Sequence, residues 1–274
     1  MTFSIVGRDG DALGVAVASK FLAAGAMVPA AAAGVGAVAT QSYANLELKT
    51  AGLQLMRDGA TATELLAGFF TDDPQREQRQ AGVVDARGGA ATFTGAGCQA
   101  WAGGRTLDGV AAQGNMLAGP EVVDAMLATW TALAGEPLPR RLLGALQAGQ
   151  DAGGDPRGKQ AAGLLVVAPG AGYGGLSDVA VDLRVDDDPE PIGQLTRMLG
   201  LHDLYFGSSP VEALLPLSDP ALADELRSRL SVAGYASGDT VADLYAWMGR
   251  ENFEERWHVG ALDPVVLEQL RLAT

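Results

Sequence analysis

The chain has 274 residues, 48% of them hydrophobic, with 33 acidic against 19 basic side chains and a formal net charge of −14. That length accommodates one large domain or a large and a small one, and the composition is that of a globular chain rather than a disordered one. The acidic balance excludes a phosphate-binding surface, and with it a nucleic-acid partner, while the single cysteine, Cys98, excludes an intramolecular disulfide and fits a reducing compartment.

In chain order, TFSIVGR (2–8) and LGVAVAS (13–19) read as strands joined by the turn-rich DGDA, a hairpin. AGAMVPAAAAGVGAVA (24–39) is apolar, but Pro29 interrupts it and it is shorter than the roughly 20 residues of a membrane span. Its end, GVGAVATQ (34–41), reads as a buried strand. Thr61 and Glu64 stand in capping-box spacing at the start of a helix over 61–70. QAGVVDA (80–86) and AATFTG (90–95) form a second hairpin. Helical spacing covers 120–134 and 139–148, strands cover 162–168 and 179–185, and a helix covers 189–206. No basic segment followed by an apolar core opens the chain, so a cytoplasmic location without a membrane partner is expected.

Blocks of hairpins separated by helices suit an α+β fold, with two antiparallel sheets stacked face to face under helices on both outer sides. After GSSP (207–210), read as a linker, a charged run of short helices reads as a small all-helical domain. The expected domains are therefore 1–206 and 207–274.

Several apparent motifs carry no chemistry. GGDPRGKQ (153–160) approaches a phosphate-binding loop, but a helix precedes it and a strand follows, the reverse of what such a loop needs. The GxGxxA match at 34–39 is not followed by a helix with an acidic partner. Asp186, Asp187, Asp188 and Glu190 read as a solvated turn rather than a cation site, and Asp72 and Asp73 are treated alike. No metal and no cofactor are expected.

The only histidines are His202 and His258. Their absence from residues 1–201 disfavours a serine or cysteine triad with a histidine base in the strand-rich body, and leaves Cys98 without an activator. Thr2 offers another base. If Met1 is removed, its α-amine, with a reference pKa of about 7.7–8.0, sits on the same residue as a nucleophilic hydroxyl. Lys20, closing the second strand beside the first, is placed to hold Thr2 Oγ or the amine by charge.

TFSIVGRD, GVAVASKF, GVGAVATQ, QGNMLAGPEV (113–122), AGGDPRGKQ and DLRVDDDPEP together resemble the domain of unknown function 1028 family, over roughly residues 2–205. The resemblance implies membership of the N-terminal-nucleophile (Ntn) hydrolase superfamily, its four-layer αββα sandwich, and Thr2 as nucleophile. GRENFEERW (249–257) and LDPVVLEQLR (262–271) resemble a peptidoglycan-binding-like domain that accompanies some members. With no export signal read, no cell-wall role is expected.

Chemistry and position suggest the supporting residues. Asn115, in an expected AQGNM turn, can offer an amide N–H to an oxyanion. Thr40 and Gln41 can orient substrate, and Asp155 and Arg157 lie on a Gly-rich loop. Arg8, Arg157 and Lys159 are candidates for selecting a carboxylate. The expected activity is hydrolysis of an amide or related C–N bond in a small-molecule substrate. The alternative is a non-catalytic binding or scaffolding protein whose contact surface is Tyr245, Trp247, Phe253 and Trp257. Self-association is compatible with a layered sandwich, but no sequence feature specifies it.

Overall fold

The computed structural model describes Thr2–Thr274. The chain divides into two compact units, the first running to Leu199 and the second from Gly200 to Thr274.

The first unit holds two sheets. Its elements are β1 (Thr2–Asp9), β2 (Ala12–Ser19), α1 (Ala24–Met27), β3 (Pro29–Ala32), β4 (Gly36–Ser42), α2 (Ala51–Arg57), α3 (Ala62–Phe69), β5 (Arg79–Asp85), β6 (Ala90–Thr94), β7 (Gly103–Leu107), β8 (Val110–Asn115), α4 (Glu121–Ala132), α5 (Leu138–Asp151), β9 (Ala161–Val167), β10 (Val179–Val185) and most of α6 (Pro191–Phe206). One sheet has the order β10-β9-β2-β1-β8-β7 and the other β3-β4-β5-β6. Every pairing in both is antiparallel.

Strand alternation sorts the side chains into three cores. Phe3 and Ile5 of β1 pack with Ala16, Leu164 and Val166 against Met126, Trp130, Leu142 and Leu146 of α4 and α5. Val6, Val15 and Val17 turn the other way and meet Ala37, Ala39 and Val84 of the second sheet. The outer face of that sheet, through Val38, Ala81 and Val83, packs on Leu53, Met56, Leu65 and Leu66 of α2 and α3. The layers are therefore helix, sheet, sheet, helix, as the sequence predicts. Burying each such Val, Leu or Phe side chain contributes about 1.5–3 kcal/mol. The capping box also forms: Thr61 Oγ1 accepts from Glu64 N at 3.1 Å, and Glu64 Oε2 accepts from Thr61 N at 2.9 Å.

Two expectations are corrected. Asn115 does not lie in a turn; it is the last residue of β8, in register with Thr2. The second unit is not purely helical. Beside α7 (Pro220–Val232), α8 (Thr240–Arg250) and α9 (Pro264–Ala273), three two-residue strands, β11 (Leu215–Pro216), β12 (Trp257–His258) and β13 (Ala261–Leu262), pair into a small sheet. Its core gathers Leu226, Leu230, Leu244, Trp247, Phe253 and Leu270. Among the described residues, no helix is long and apolar enough to cross a membrane.

Candidate active site

Thr2 begins the central strand β1, between Ser19 of β2 and Asn115 of β8. Alternation along β1 puts Thr2, Ser4 and Val6 on the face towards the second sheet. Val6 meets an apolar partner layer, but the end near Thr2 is filled with amides and hydroxyls. Thr2 is only 8% exposed, and its Oγ1 shares a 3.0 Å hydrogen bond with Ser19 Oγ.

From the opposite sheet, Gln41 Nε2 donates to the Thr2 carbonyl at 3.2 Å and to Gln80 Oε1 at 2.8 Å. Asn115 Nδ2 donates to the same Gln80 oxygen at 2.9 Å. Ser4 Oγ donates to Gln41 Oε1 at 2.7 Å and accepts from Gln113 Nε2 at 2.6 Å. Gln80 Nε2 in turn donates to the Gly114 carbonyl and to Thr94 Oγ1. Buried polar groups persist only when bonded in this way. Among the described residues, Gln113 Oε1 is the one fully buried side-chain oxygen or nitrogen with no partner. It lies against Gly82, where a Cβ would come within 1.9 Å of it, so the network requires glycine there.

The backbone carries its own mark. Among the described residues, Ala23, Ser42, Met116 and Asn252 are the non-glycine residues with positive φ. Three of them stand at this site: Met116 follows Asn115, Ser42 follows Gln41, and Ala23 precedes Ala24 in the wall described next. Each left-handed residue of this kind costs about 1–3 kcal/mol, and such strain concentrates where function holds it.

A cavity of about 310 Å³ opens on Thr2 and Gln41, walled by Phe21, Ala24, Met27, Val28, Tyr43 and Leu46 with their neighbours. α1 is tied down by Lys49 Nζ, which donates to the Ala26 carbonyl at 2.7 Å. Burial, with nearby Arg184, pushes that ammonium below the usual lysine range, against the pull of Asp182. The other wall is held by a buried ion pair. Arg79 Nε donates to Asp73 Oδ2 at 2.9 Å, Arg79 Nη1 donates to the Tyr43 carbonyl, and Asn45 Nδ2 donates to Asp73 Oδ2. A larger open hollow of about 530 Å³ borders the other side of this segment, along Asp72–Gln75.

Of the residues singled out in the sequence, Thr2, Gln41 and Asn115 come together here. Thr40, one position from Gln41, faces the opposite side of its strand, where Oγ1 accepts from Asn45 N at 3.1 Å. Lys20 is exposed, and its ammonium donates to the Lys159 carbonyl at 3.3 Å. The side chain bonded to Thr2 Oγ1 is Ser19, not Lys20. Asp155 and Arg157 form a separate group: the buried Asp155 carboxylate accepts from Lys20 N at 3.1 Å, from Arg157 N at 2.8 Å and from Arg157 Nη2 at 3.1 Å. It thereby fixes the backbone directly after Ser19. Arg8 is six residues along β1 from Thr2, roughly 20 Å at strand rise.

Sequence reasoning missed Ser4, Ser19, Gln80 and Gln113. The available signal was a polar residue at an inward position of an otherwise apolar strand. In the second unit, Trp247 and Phe253 are buried in the core, while the exposed Tyr245 packs edge-on to Trp257. Four aromatics therefore do not make one contact surface.

The profile of the Family of unknown function (DUF1028) matches residues 2–195. The chain is similar to the crystal structure of protein SPO2555 from Silicibacter pomeroyi, itself assigned to DUF1028, at 32% identity and a TM-score of 0.67. The match covers 74% of this chain and 89% of that one. Thiobacillus denitrificans BPH in complex with epoxomicin matches at 13% identity and a TM-score of 0.32, over 61% of this chain and 98% of that one, too distant to bear on function. No curated protein matches the chain.

Proposed function

This chain belongs to the DUF1028 family, and we propose that it is an N-terminal-nucleophile hydrolase cleaving an amide or related C–N bond of a small molecule through Thr2, after removal of Met1. Met1 itself lies outside the described residues. The observation that carries the reading is the Thr2 hydroxyl, hydrogen-bonded to Ser19 at the mouth of a cavity and ringed by buried amides.

In this reading Thr2 Oγ attacks the substrate carbonyl carbon, and its proton passes to the Thr2 α-amine, directly or through water. The C–N bond breaks, and the amine delivers that proton to the departing nitrogen. Water then attacks the acyl ester; its hydroxyl stays on the acid product and its proton returns, through the amine, to Thr2 Oγ. Asn115 Nδ2 has two hydrogens, one committed to Gln80; the other serves the oxyanion, a role worth about 10²–10³ in kcat for a single donor. Ser19 orients the nucleophile. Gln41 holds the Thr2 backbone, and Asp155 with Arg157 stiffens the end of β2. The second unit's likeness to a peptidoglycan-binding-like domain rests on GRENFEERW and LDPVVLEQLR alone, and the family profile ends before it.

The test joins the intact mass of untagged protein to a screen of small amides against wild type, Thr2→Ser and Thr2→Ala. The expected result is loss of Met1, turnover by wild type, reduced turnover by Thr2→Ser and none by Thr2→Ala. Full retention of Met1 in active protein, or turnover by Thr2→Ala, overturns the mechanism.

A further inference from the structure

We infer that the cavity beside Thr2 selects an uncharged, apolar acyl group, so that the substrates are amides of medium-length aliphatic or arylalkyl acids rather than of dicarboxylic or amino acids. The inference names the substrate class of the site proposed above and rests on that reading.

Three observations support it. The cavity's volume, about 310 Å³, is that of a small ligand site, and among its described lining residues Tyr43 carries the one ionisable side chain, the α-amine of a mature Thr2 standing at the reacting end. Its wall exposes side chains that are costly to leave in water: Phe21 is 57% exposed, Met27 38%, Tyr43 59% and Leu46 45%. Apolar groups gathered around a concavity with a few polar atoms at one end are the pattern of a ligand pocket rather than of ordinary surface. Finally, the cations able to draw a carboxylate are engaged elsewhere: Arg157 with Asp155, Lys159 Nζ with Glu190 at 2.6 Å, Lys49 Nζ with the Ala26 carbonyl and Lys20 Nζ with the Lys159 carbonyl. Arg8 is at the far end of β1.

An acyl chain entering this cavity would place its carbonyl at the polar end, where Thr2 and Gln41 lie. Each methylene buried there should improve kcat/KM by about fourfold until the cavity is filled, the factor that follows from the transfer of one CH₂ out of water. A terminal carboxylate, carried by the acyl chain away from the Thr2 amine and against the apolar wall, would lose its hydration without a partner and should be rejected by more than about tenfold.

The experiment uses the full chain and p-nitroanilides of acetic, butyric, hexanoic, phenylacetic and succinic acids. The expected order is hexanoyl and phenylacetyl above butyryl, acetyl and succinyl. Met27→Lys, at a part-exposed position and checked for an unchanged melting temperature, should depress hexanoyl turnover and raise succinyl turnover. Binding of hexanamide to Thr2→Ala, followed by calorimetry, separates the two readings. If Thr2→Ala binds hexanamide but wild type cleaves nothing, the hydrolase reading fails and the apolar pocket stands. If wild type cleaves amides with no preference for apolar acyl groups, or prefers succinyl, the pocket inference is overturned and the hydrolase reading survives. No turnover together with no hexanamide binding overturns both.

Discussion

Gln80 Oε1 on the second sheet receives Asn115 Nδ2 from the first at 2.9 Å, and the same oxygen receives Gln41 Nε2 at 2.8 Å. One acceptor thus fixes the orientation of both amides nearest Thr2. Gln80→Met keeps the volume but removes that acceptor and the donor to the Gly114 carbonyl. With buried groups left short of partners, the variant should lose about 2–3 kcal/mol of stability, read as a lower urea midpoint. An unchanged midpoint would show that the amides find other partners. In an active preparation, kcat should fall more than KM rises, since Gln80 does not line the cavity.

The layered architecture is legible because β2 and β9 carry long apolar runs and β1 and β5 shorter ones, bounded by polar or turn residues, a pattern that stacked, buried strands impose. β8 is not, because VAAQGN presents Gln113 and Asn115 to the polar layer, and an inward Gln-Gly-Asn has the composition of a turn. β3 begins at Pro29, and β7, with Gly103 and Gly104, is short; both lie at sheet edges, where sequence signals are weak. Thr2, Gln41 and Asn115, marked in the sequence by their chemistry, lie together in the structure. Thr40 and Gln41 do not share the site because strand alternation sends adjacent residues to opposite faces. Ser19 is overshadowed in the sequence by the neighbouring charge of Lys20, although the hairpin register pairs Ser19 with Thr2.

The Asp73–Arg79 pair should make itself felt in acid. Hydrogen bonds from Arg79, Gln75 N and Asn45 hold the Asp73 carboxyl at about 2, against 3.8 for a free side chain. Because the folded pKa is depressed, the unfolded chain takes up its proton first as pH falls. The stability this group contributes is complete above about pH 4 and is lost as pH drops from about 4 towards 2. The difference in urea midpoint between wild type and Asp73→Asn should therefore shrink across that window. A difference that stays constant with pH would remove the linkage. Since the same pair anchors Tyr43 and Asn45, amide exchange over Tyr43–Leu46 should also quicken in the variant.

In the second unit, Asp263 is fully buried. It accepts from Arg256 Nη1 at 2.7 Å, from Ser209 N and Oγ, and from Val265 N at the start of α9. Arg256 also donates to the carbonyls of Asp203 and Leu204. Asp263→Ala strands a buried guanidinium and strips the helix cap, and should cost about 3–5 kcal/mol. Asp263→Asn keeps most of the cap and should cost less. Limited proteolysis provides the check: new cleavage should fall within Gly200–Thr274, and faster in the alanine variant. Resistance equal to wild type in both variants would mean that the ion pair contributes little to holding the unit together.

Ser19 separates structure from catalysis most cleanly. Its hydroxyl meets Thr2 Oγ1 at 3.0 Å in a buried pair, and a hydrogen bond of that kind contributes only about 0.5–1.5 kcal/mol to stability. Ser19→Ala should therefore fold, with a small drop in melting temperature. If Ser19 points the Thr2 hydroxyl at the substrate carbonyl, the same change leaves the nucleophile free to rotate, and kcat should fall by about one to two orders of magnitude while KM holds, the signature of an interaction that matters in the transition state. Ser19→Thr retains the hydroxyl and should recover part of the rate. A Ser19→Ala enzyme with wild-type kcat would assign the hydroxyl pair to strand packing alone. Thr2 would then need another group to orient it, and the second hydrogen of Asn115 Nδ2 would be the next to test.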